Sequence, residues 1–212
     1  MRRLPVYLLI DTSGSMTGEP IEAVKVGLQT MVSALRADPY ALETAFLSVI
    51  TFSDKAVQTV PLTELVQFQA PDLNASGTTA LGGALSLLAD CIERDVKKTT
   101  AEAKGDWKPV CFLLTDGQAT DDLNRGIEAL RRVKMGTLVA CAAGPSANTS
   151  DLRKVTEAVV TLDTADSNTL KAFFQWVSAS VSVSSQKLDR GTKEVDGLSE
   201  LPPPPPEVNV AL

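Results

Sequence analysis

Val6-Tyr7-Leu8-Leu9-Ile10-Asp11-Thr12-Ser13-Gly14-Ser15 is the stretch on which the reading of this chain turns. An apolar run with the composition of a buried strand stops at an acid followed by two alternating hydroxyls. A buried strand gains nothing from Asp-x-Ser-x-Ser at its tip, whereas a hard divalent cation is held by such oxygens. Two segments downstream carry the same chemistry at the ends of other elements. Ser76-Gly77-Thr78-Thr79 precedes a helix-like stretch, and Phe112-Leu113-Leu114-Thr115-Asp116-Gly117 closes a second apolar run. Asp11, Ser13, Ser15, Thr78 and Asp116 together offer two carboxylates and three hydroxyls.

Outward from Val6–Ile10, strand-like and helix-like segments alternate, the pattern of a parallel sheet covered by helices. Ile21, Val24, Leu28, Met31, Val32 and Leu35 fall at helical spacing, with Pro20 at a first helical position. Leu47 to Phe52 reads as the next strand, and Ala56 to Leu62 as a weaker one that Pro61 confines to an edge. Leu81, Leu85, Leu88 and Ile92 mark a helix, Val110 to Leu114 a strand, and Leu123, Ile127 and Leu130 another helix. A strand at 138–142, a short helix at 151–157, a strand at 159–162 and a last amphipathic helix through Leu170, Phe173, Phe174, Val177 and Val181 follow. The domain is expected to span 1–185. Residues 186–212 read as a flexible tail, polar at first and then an unbroken proline run, Pro202 to Pro206, that must be extended polyproline II. The alternative for this tail is a docking segment that orders on a partner.

Composition removes whole classes of function. A chain of 212 residues with 44% hydrophobic content can bury one sizeable core. A formal charge of −6 argues against nucleic acid and anionic membrane as main partners. Histidine is absent, so no Ser-His-Asp or Cys-His pair, imidazole base or His zinc ligand exists. Cys91, Cys111 and Cys141 are far apart in apolar sequence and read as reduced core residues of a cytoplasmic protein. The apolar run ending at Asp11 is too short for a secretory signal. No later stretch reaches the roughly 20 apolar residues of a transmembrane helix.

In an open parallel sheet, ligands collect beyond the carboxyl ends of the strands, so these segments can converge on one edge. Magnesium takes octahedral oxygen ligands and keeps waters, which suits few carboxylates plus neutral hydroxyls. Mg²⁺ is therefore the expected ion, with Mn²⁺ or Ca²⁺ as alternatives. Two acids leave the dication electrophilic, open to an Asp or Glu carboxylate from a protein partner. Spacing alone does not separate Thr79 from Thr78 as the ligand. Glu19, Thr120, Asp121 and Asp122 fit helix-end electrostatics and capping better than ligation. Trp107 and Trp176 read as packing residues.

Asp11-x-Ser13-x-Ser15, Thr78 and Thr115-Asp116-Gly117 resemble, in order, the five-part metal-ion-dependent adhesion motif of von Willebrand factor A domains. The resemblance covers about 4–183 and implies a Rossmann-like α/β fold, doubly wound, with a mostly parallel central sheet. It also implies a non-enzymatic module that clamps a partner through a metal. Ser13-Gly-Ser-Met-Thr-Gly-Glu-Pro-Ile-Glu-Ala-Val, Asp38-Pro-Tyr-Ala-Leu-Glu-Thr and Lys104-Gly-Asp-Trp-Lys-Pro are similar to the bacterial tellurite-resistance TerY-like branch. That similarity implies a stress-response role beside a protein kinase and a phosphatase, and hence phosphorylation at Ser13, Ser15 or Thr78 as a switch. In domains of this type the last helix can slide when the metal changes ligands, which implies that the tail after 170–183 reports metal occupancy. Ala119 departs from the proline expected in Thr-Asp-Gly-x-Pro-Thr-Asp. Two other functions compete. A small metal-dependent phosphatase-like hydrolase is disfavoured because Ser13 replaces the second acid such enzymes carry. Direct oxyanion binding at helix N-termini is disfavoured by the acidic balance.

Overall fold

The strand that opens the chain, β1 (Leu4–Asp11), is buried along its whole length because helices cover both of its faces. Leu4, Val6, Leu8 and Ile10 enter one apolar layer, and Tyr7 and Leu9 the other, as the two-residue period of a strand requires. The protein is seen here in a computed structural model that describes residues 2–189 and 198–211. The further strands are β2 (Ala45–Phe52), β3 (Ala56–Glu64), β4 (Val110–Thr115), β5 (Thr137–Ala143), β6 (Val159–Leu162) and β7 (Asn209–Val210). They form one seven-stranded sheet of order β3-β2-β1-β4-β5-β6-β7. β1 runs parallel to β2 and β4, and β4, β5 and β6 continue parallel. β3 is antiparallel at one edge, the position Pro61 requires, and β7 is antiparallel at the other.

Among the described residues six α-helices complete the layers: α1 (Glu19–Ala37), α2 (Pro39–Thr44), α3 (Leu81–Asp95), α4 (Leu123–Leu130), α5 (Thr149–Val155) and α6 (Ser167–Asp189). The apolar faces of α1, α2 and α6 pack on one side of the sheet, and those of α3, α4 and α5 on the other. This is the doubly wound, mostly parallel α/β architecture. The chain builds outward from β1 in one direction through β2 and in the other from β4, so the winding reverses between β1 and β4. A crevice therefore opens at their carboxyl ends, with Asp11 on one lip and Asp116 on the other. Helix α2 carries no long apolar period. Asp38 caps it by accepting from Tyr40 N and Ala41 N, with Pro39 in the first turn.

Residues 198–211 form a strap that lies along the body. Leu201 and Val208 are buried, and Trp176 Nε1 donates to the Pro202 carbonyl at 2.8 Å. Lys187 Nζ meets Glu200 at 2.8 Å, and the Ala211 amide donates to the Val159 carbonyl at 2.9 Å beside β7. A polyproline run cannot extend a sheet, but its carbonyls remain free to accept, and apolar residues on either side supply burial. Helix α6 also runs beyond 185, to Asp189. The polar stretch at 190–197 lies outside the described residues.

Candidate metal centre

Every backbone segment at the carboxyl edge of β1 is tied to another. The Thr12 amide donates to the Phe52 carbonyl at 2.8 Å, and the Ser76 amide to the Thr12 carbonyl at 2.8 Å. The Gly14 amide reaches the Gly77 carbonyl at 3.0 Å, joining the first loop to the loop before α3. Gly77 sits at φ +78°, and a Cβ there would stand 2.5 Å from the Asp54 carboxylate, so only glycine fits.

On this frame the side chains form two linked chains of oxygens. Ser13 Oγ and Ser15 Oγ lie 3.1 Å apart, and Ser15 Oγ donates to Asp116 Oδ1 at 2.7 Å. Asp11 Oδ1 accepts from the Ser13 amide at 2.8 Å, and Asp11 Oδ2 from Thr115 Oγ1 at 2.5 Å. Asp11, Ser13 and Asp116 are all buried. Burial raises the Asp11 carboxyl above the usual range, hydrogen bonds from Thr115 and Ser13 pull it back, and the neighbouring Asp116 raises it further. Asp116 is likewise raised by burial and lowered by the Ser15 bond. Neither carboxylate forms an ion pair with lysine or arginine among the described residues. Two buried, adjacent acids without a cation are electrostatically unfinished.

The two threonines separate clearly. Thr78 is exposed, and its hydroxyl donates to Asp54 Oδ1 at 3.0 Å. Thr79 is buried, and a Cβ built on Gly117 would lie 3.1 Å from Thr79 Oγ1 and 3.9 Å from Asp11 Oδ2. Thr79, not Thr78, therefore shares the space over Gly117 with Asp11. The Thr79 amide donates to Thr120 Oγ1 at 3.1 Å, and the Thr120 amide to the Thr79 carbonyl at 2.9 Å. Thr120 is thus a strut for Thr79. The supporting roles of Thr115 and Thr120 have no sequence signal beyond their position beside Asp116 in a hydroxyl-rich loop. Asp121 caps α3, accepting from Gly82 N and Gly83 N at 2.8 and 2.7 Å, because Ala80 at the cap position has no acceptor. Asp122 caps its own helix through Arg125 N. Glu19 accepts from the Ser167 amide and hydroxyl at the start of α6, at 3.1 and 3.0 Å, so it serves a helix remote in sequence as well as its own. Ala119 packs partly buried against the α3/α4 layer.

The donor set fits a hard dication. Among the described residues no group of three or more His, Cys, Asp and Glu side chains is arranged for a metal, and the hydroxyls of Ser13, Ser15 and Thr115 are the further oxygen donors beside Asp11 and Asp116. That is the ligand balance preferred by an oxygen-seeking ion that keeps waters.

A family model for the von Willebrand factor type A domain matches residues 6–176. An uncharacterized protein of Synechocystis sp. is 32% identical over 146 residues, which are 66% of this chain and 30% of that protein. The chain thus spans under a third of the curated relative it matches. Among solved structures, a von Willebrand factor type A protein from Catenulispora acidiphila aligns with TM-score 0.59 and 22% identity, covering 85% of this chain and 43% of that one. Proximal thread matrix protein 1 from the mussel byssus, solved with zinc in its MIDAS motif, aligns with TM-score 0.60 and 21% identity over 87% and 46% of the two chains. The pilus adhesin SpaC of Lactobacillus rhamnosus GG gives TM-score 0.68 at 13% identity, over 86% and 31%. At these identities the solved structures speak for the fold.

Proposed function

The chain belongs to the von Willebrand factor type A domain family, typically metal-dependent interaction modules, and from that premise we propose that it holds a protein partner through Mg²⁺. Asp11, Ser13, Ser15, Thr79 and Asp116 would hold the ion, with Thr79 in the place first given to Thr78. When bound, the ion supplies an electrophilic position that an Asp or Glu carboxylate of the partner completes. The protein's own part is preorganisation: Thr115 orients Asp11, Ser15 orients Asp116, and Thr120 carries Thr79. The single observation that carries this reading is the pair of buried carboxylates: Asp11, held by the Ser13 amide and the Thr115 hydroxyl, and Asp116, held by the Ser15 hydroxyl, neither with a lysine or arginine partner among the described residues. Zinc in the corresponding motif of the byssus protein supports a divalent metal, and Mn²⁺ or Ca²⁺ remains the alternative to Mg²⁺.

The finer reading is a cytoplasmic module of a tellurite-resistance or stress-response system, partnered by a kinase and a phosphatase. It rests on the motif strings around Ser13, Asp38 and Lys104. Three free, buried cysteines suit a reducing compartment. Phosphate on Ser15, which is exposed, would remove a ligand hydroxyl and set negative charge against Asp116.

Calorimetric titration with MgCl₂, followed by capture from native lysate in Mg²⁺ and in EDTA, tests the proposal. Saturable Mg²⁺ binding lost in Ser13→Ala/Ser15→Ala, and partners lost with it, are expected. Partners retained in EDTA would move the interaction to another face. A Ser15→Glu variant that binds Mg²⁺ and partner normally would end the phosphorylation switch.

A further inference from the structure

The opposite end of the sheet, at the amino ends of β1 and β4, holds a cleft of about 660 Å³. Six cationic side chains line it: Arg2, Lys97, Lys98, Lys108, Arg132 and Lys134. They stand against two acids, Glu93 and Asp106, in a protein whose formal charge is −6. The cations come from four separate segments: the start of the chain, the turn after α3, the entry to β4 and the turn after α4. Asp106 is already neutralised, since Arg3 Nε donates to its Oδ1 at 2.9 Å and the Lys97 amide to its Oδ2 at 2.8 Å. Glu93 lies 3.6 Å from Lys98. Lys97, Arg132 and Lys134 have no ion-pair partner among the described residues.

The wall is built, not a chance cluster of surface lysines. Arg2 is fixed by Nε donating to the Gly105 carbonyl at 2.7 Å and Nη2 to the Asp106 carbonyl at 3.2 Å. Its guanidinium carbon lies 3.5 Å from the centroid of the Trp107 ring, a cation–π contact. The loop folds onto itself so closely that a Cβ on Gly105 would stand 2.3 Å from the Lys97 carbonyl. Half-buried Val96, Trp107 and Val133 give the cleft an apolar floor under its charged rim.

Helix C-termini attract cations, and that accounts for charge just after α3 and α4. It does not account for Arg2 or for Lys108, which belong to strand entries. The same geometry also selects the ligand. A compact phosphate is best held by amides at a helix N-terminus, whereas α3 and α4 present their C-terminal ends here. Attraction must come from side chains spread along a cleft, and Arg2 already covers one face of Trp107, where a base would stack. We propose that this cleft binds an extended carboxylate-rich peptide segment of a partner protein, its closely spaced Asp and Glu side chains against Lys97, Arg132 and Lys134 and an apolar side chain on the Val96/Trp107/Val133 floor. The site is independent of the metal edge, so the molecule would bridge two partners from opposite ends of one sheet.

Fluorescence anisotropy of a labelled oligoglutamate peptide with a central leucine tests this on the full chain. EDTA is present throughout, so that the metal edge contributes nothing. Saturable binding is expected, weakened at least about tenfold by Arg132→Glu/Lys134→Glu and unchanged by Ser13→Ala/Ser15→Ala. A phosphoserine version of the peptide is expected to bind more weakly; tighter binding overturns the carboxylate-rich assignment. No saturable binding, or affinity untouched by the double reversal, overturns the proposal. So does displacement of the peptide by ATP or inorganic phosphate at lower concentration than by unlabelled peptide.

Discussion

The two ends of the sheet are made of opposite materials. At the carboxyl end, Asp11 and Asp116 are buried, and each accepts from a hydroxyl of another segment, Asp11 from Thr115 and Asp116 from Ser15. At the amino end, Lys97, Lys98, Arg132 and Lys134 are exposed and reach into solvent over an apolar floor. The fold's own polarity sets the signs. Parallel strands alternating with helices gather helix N-termini at one end and C-termini at the other, so carboxylates are favoured at the first and cations at the second. The difference in burial then sets the kind of ligand. Locked, desolvated oxygens suit one small ion in one geometry; solvated lysines suit a longer and more tolerant anionic surface.

The sharpest break is Asp11→Ala. It should weaken Mg²⁺ binding by more than about 100-fold in calorimetry while leaving oligoglutamate binding in EDTA unchanged. Loss of both would mean that the ends are not separate sites. Next in size, Leu201→Ala should cost about 2 kcal/mol in urea unfolding, because a buried leucine of the strap leaves a cavity. If either ligand's affinity shifts with it, the strap joins the two ends instead of merely closing the β6 edge.

Within the carboxyl end, Thr79→Val should weaken Mg²⁺ binding about tenfold, whereas the nearly isosteric Thr78→Val should change it less than about twofold. The reverse order would return the ligand to Thr78. Removing the Trp176 bond to the Pro202 carbonyl by Trp176→Phe should cost about 1 kcal/mol in the same unfolding measurement. The smallest effect is one of medium. Raising salt from about 0.05 M to about 0.3 M should weaken the peptide several-fold and Mg²⁺ less, since exposed charges are screened and buried ones are shielded from ions.

Most of the fold was legible because its signals are local. Apolar runs at Val6–Ile10, Leu47–Phe52 and Val110–Leu114 and helical spacing from Ile21 to Leu35 each arise from a side-chain period within one element. Pro61 even placed β3 at an edge, since a missing amide is tolerated only there. Helix α2 escaped because six residues hold too little periodicity, and its cap, Asp38, looks like any loop acid. The strap escaped because prolines advertise extended chain but not what that chain lies against. The burial of Leu201 and Val208 depends on α6 and β6, far away in sequence.

The sequence by itself determined the chemistry of the carboxyl edge, two acids and several hydroxyls at element ends, and the α/β alternation that gathers them, because residue type and period are local properties. The tertiary structure alone decided that Thr79 is buried beside Gly117 while Thr78 is exposed, that Asp121 caps α3 and Glu19 the start of α6, and that four distant segments pool six cations in one cleft. Those facts are distances between residues remote along the chain, and only the assembled sheet, with its register and crossovers, turns sequence positions into distances.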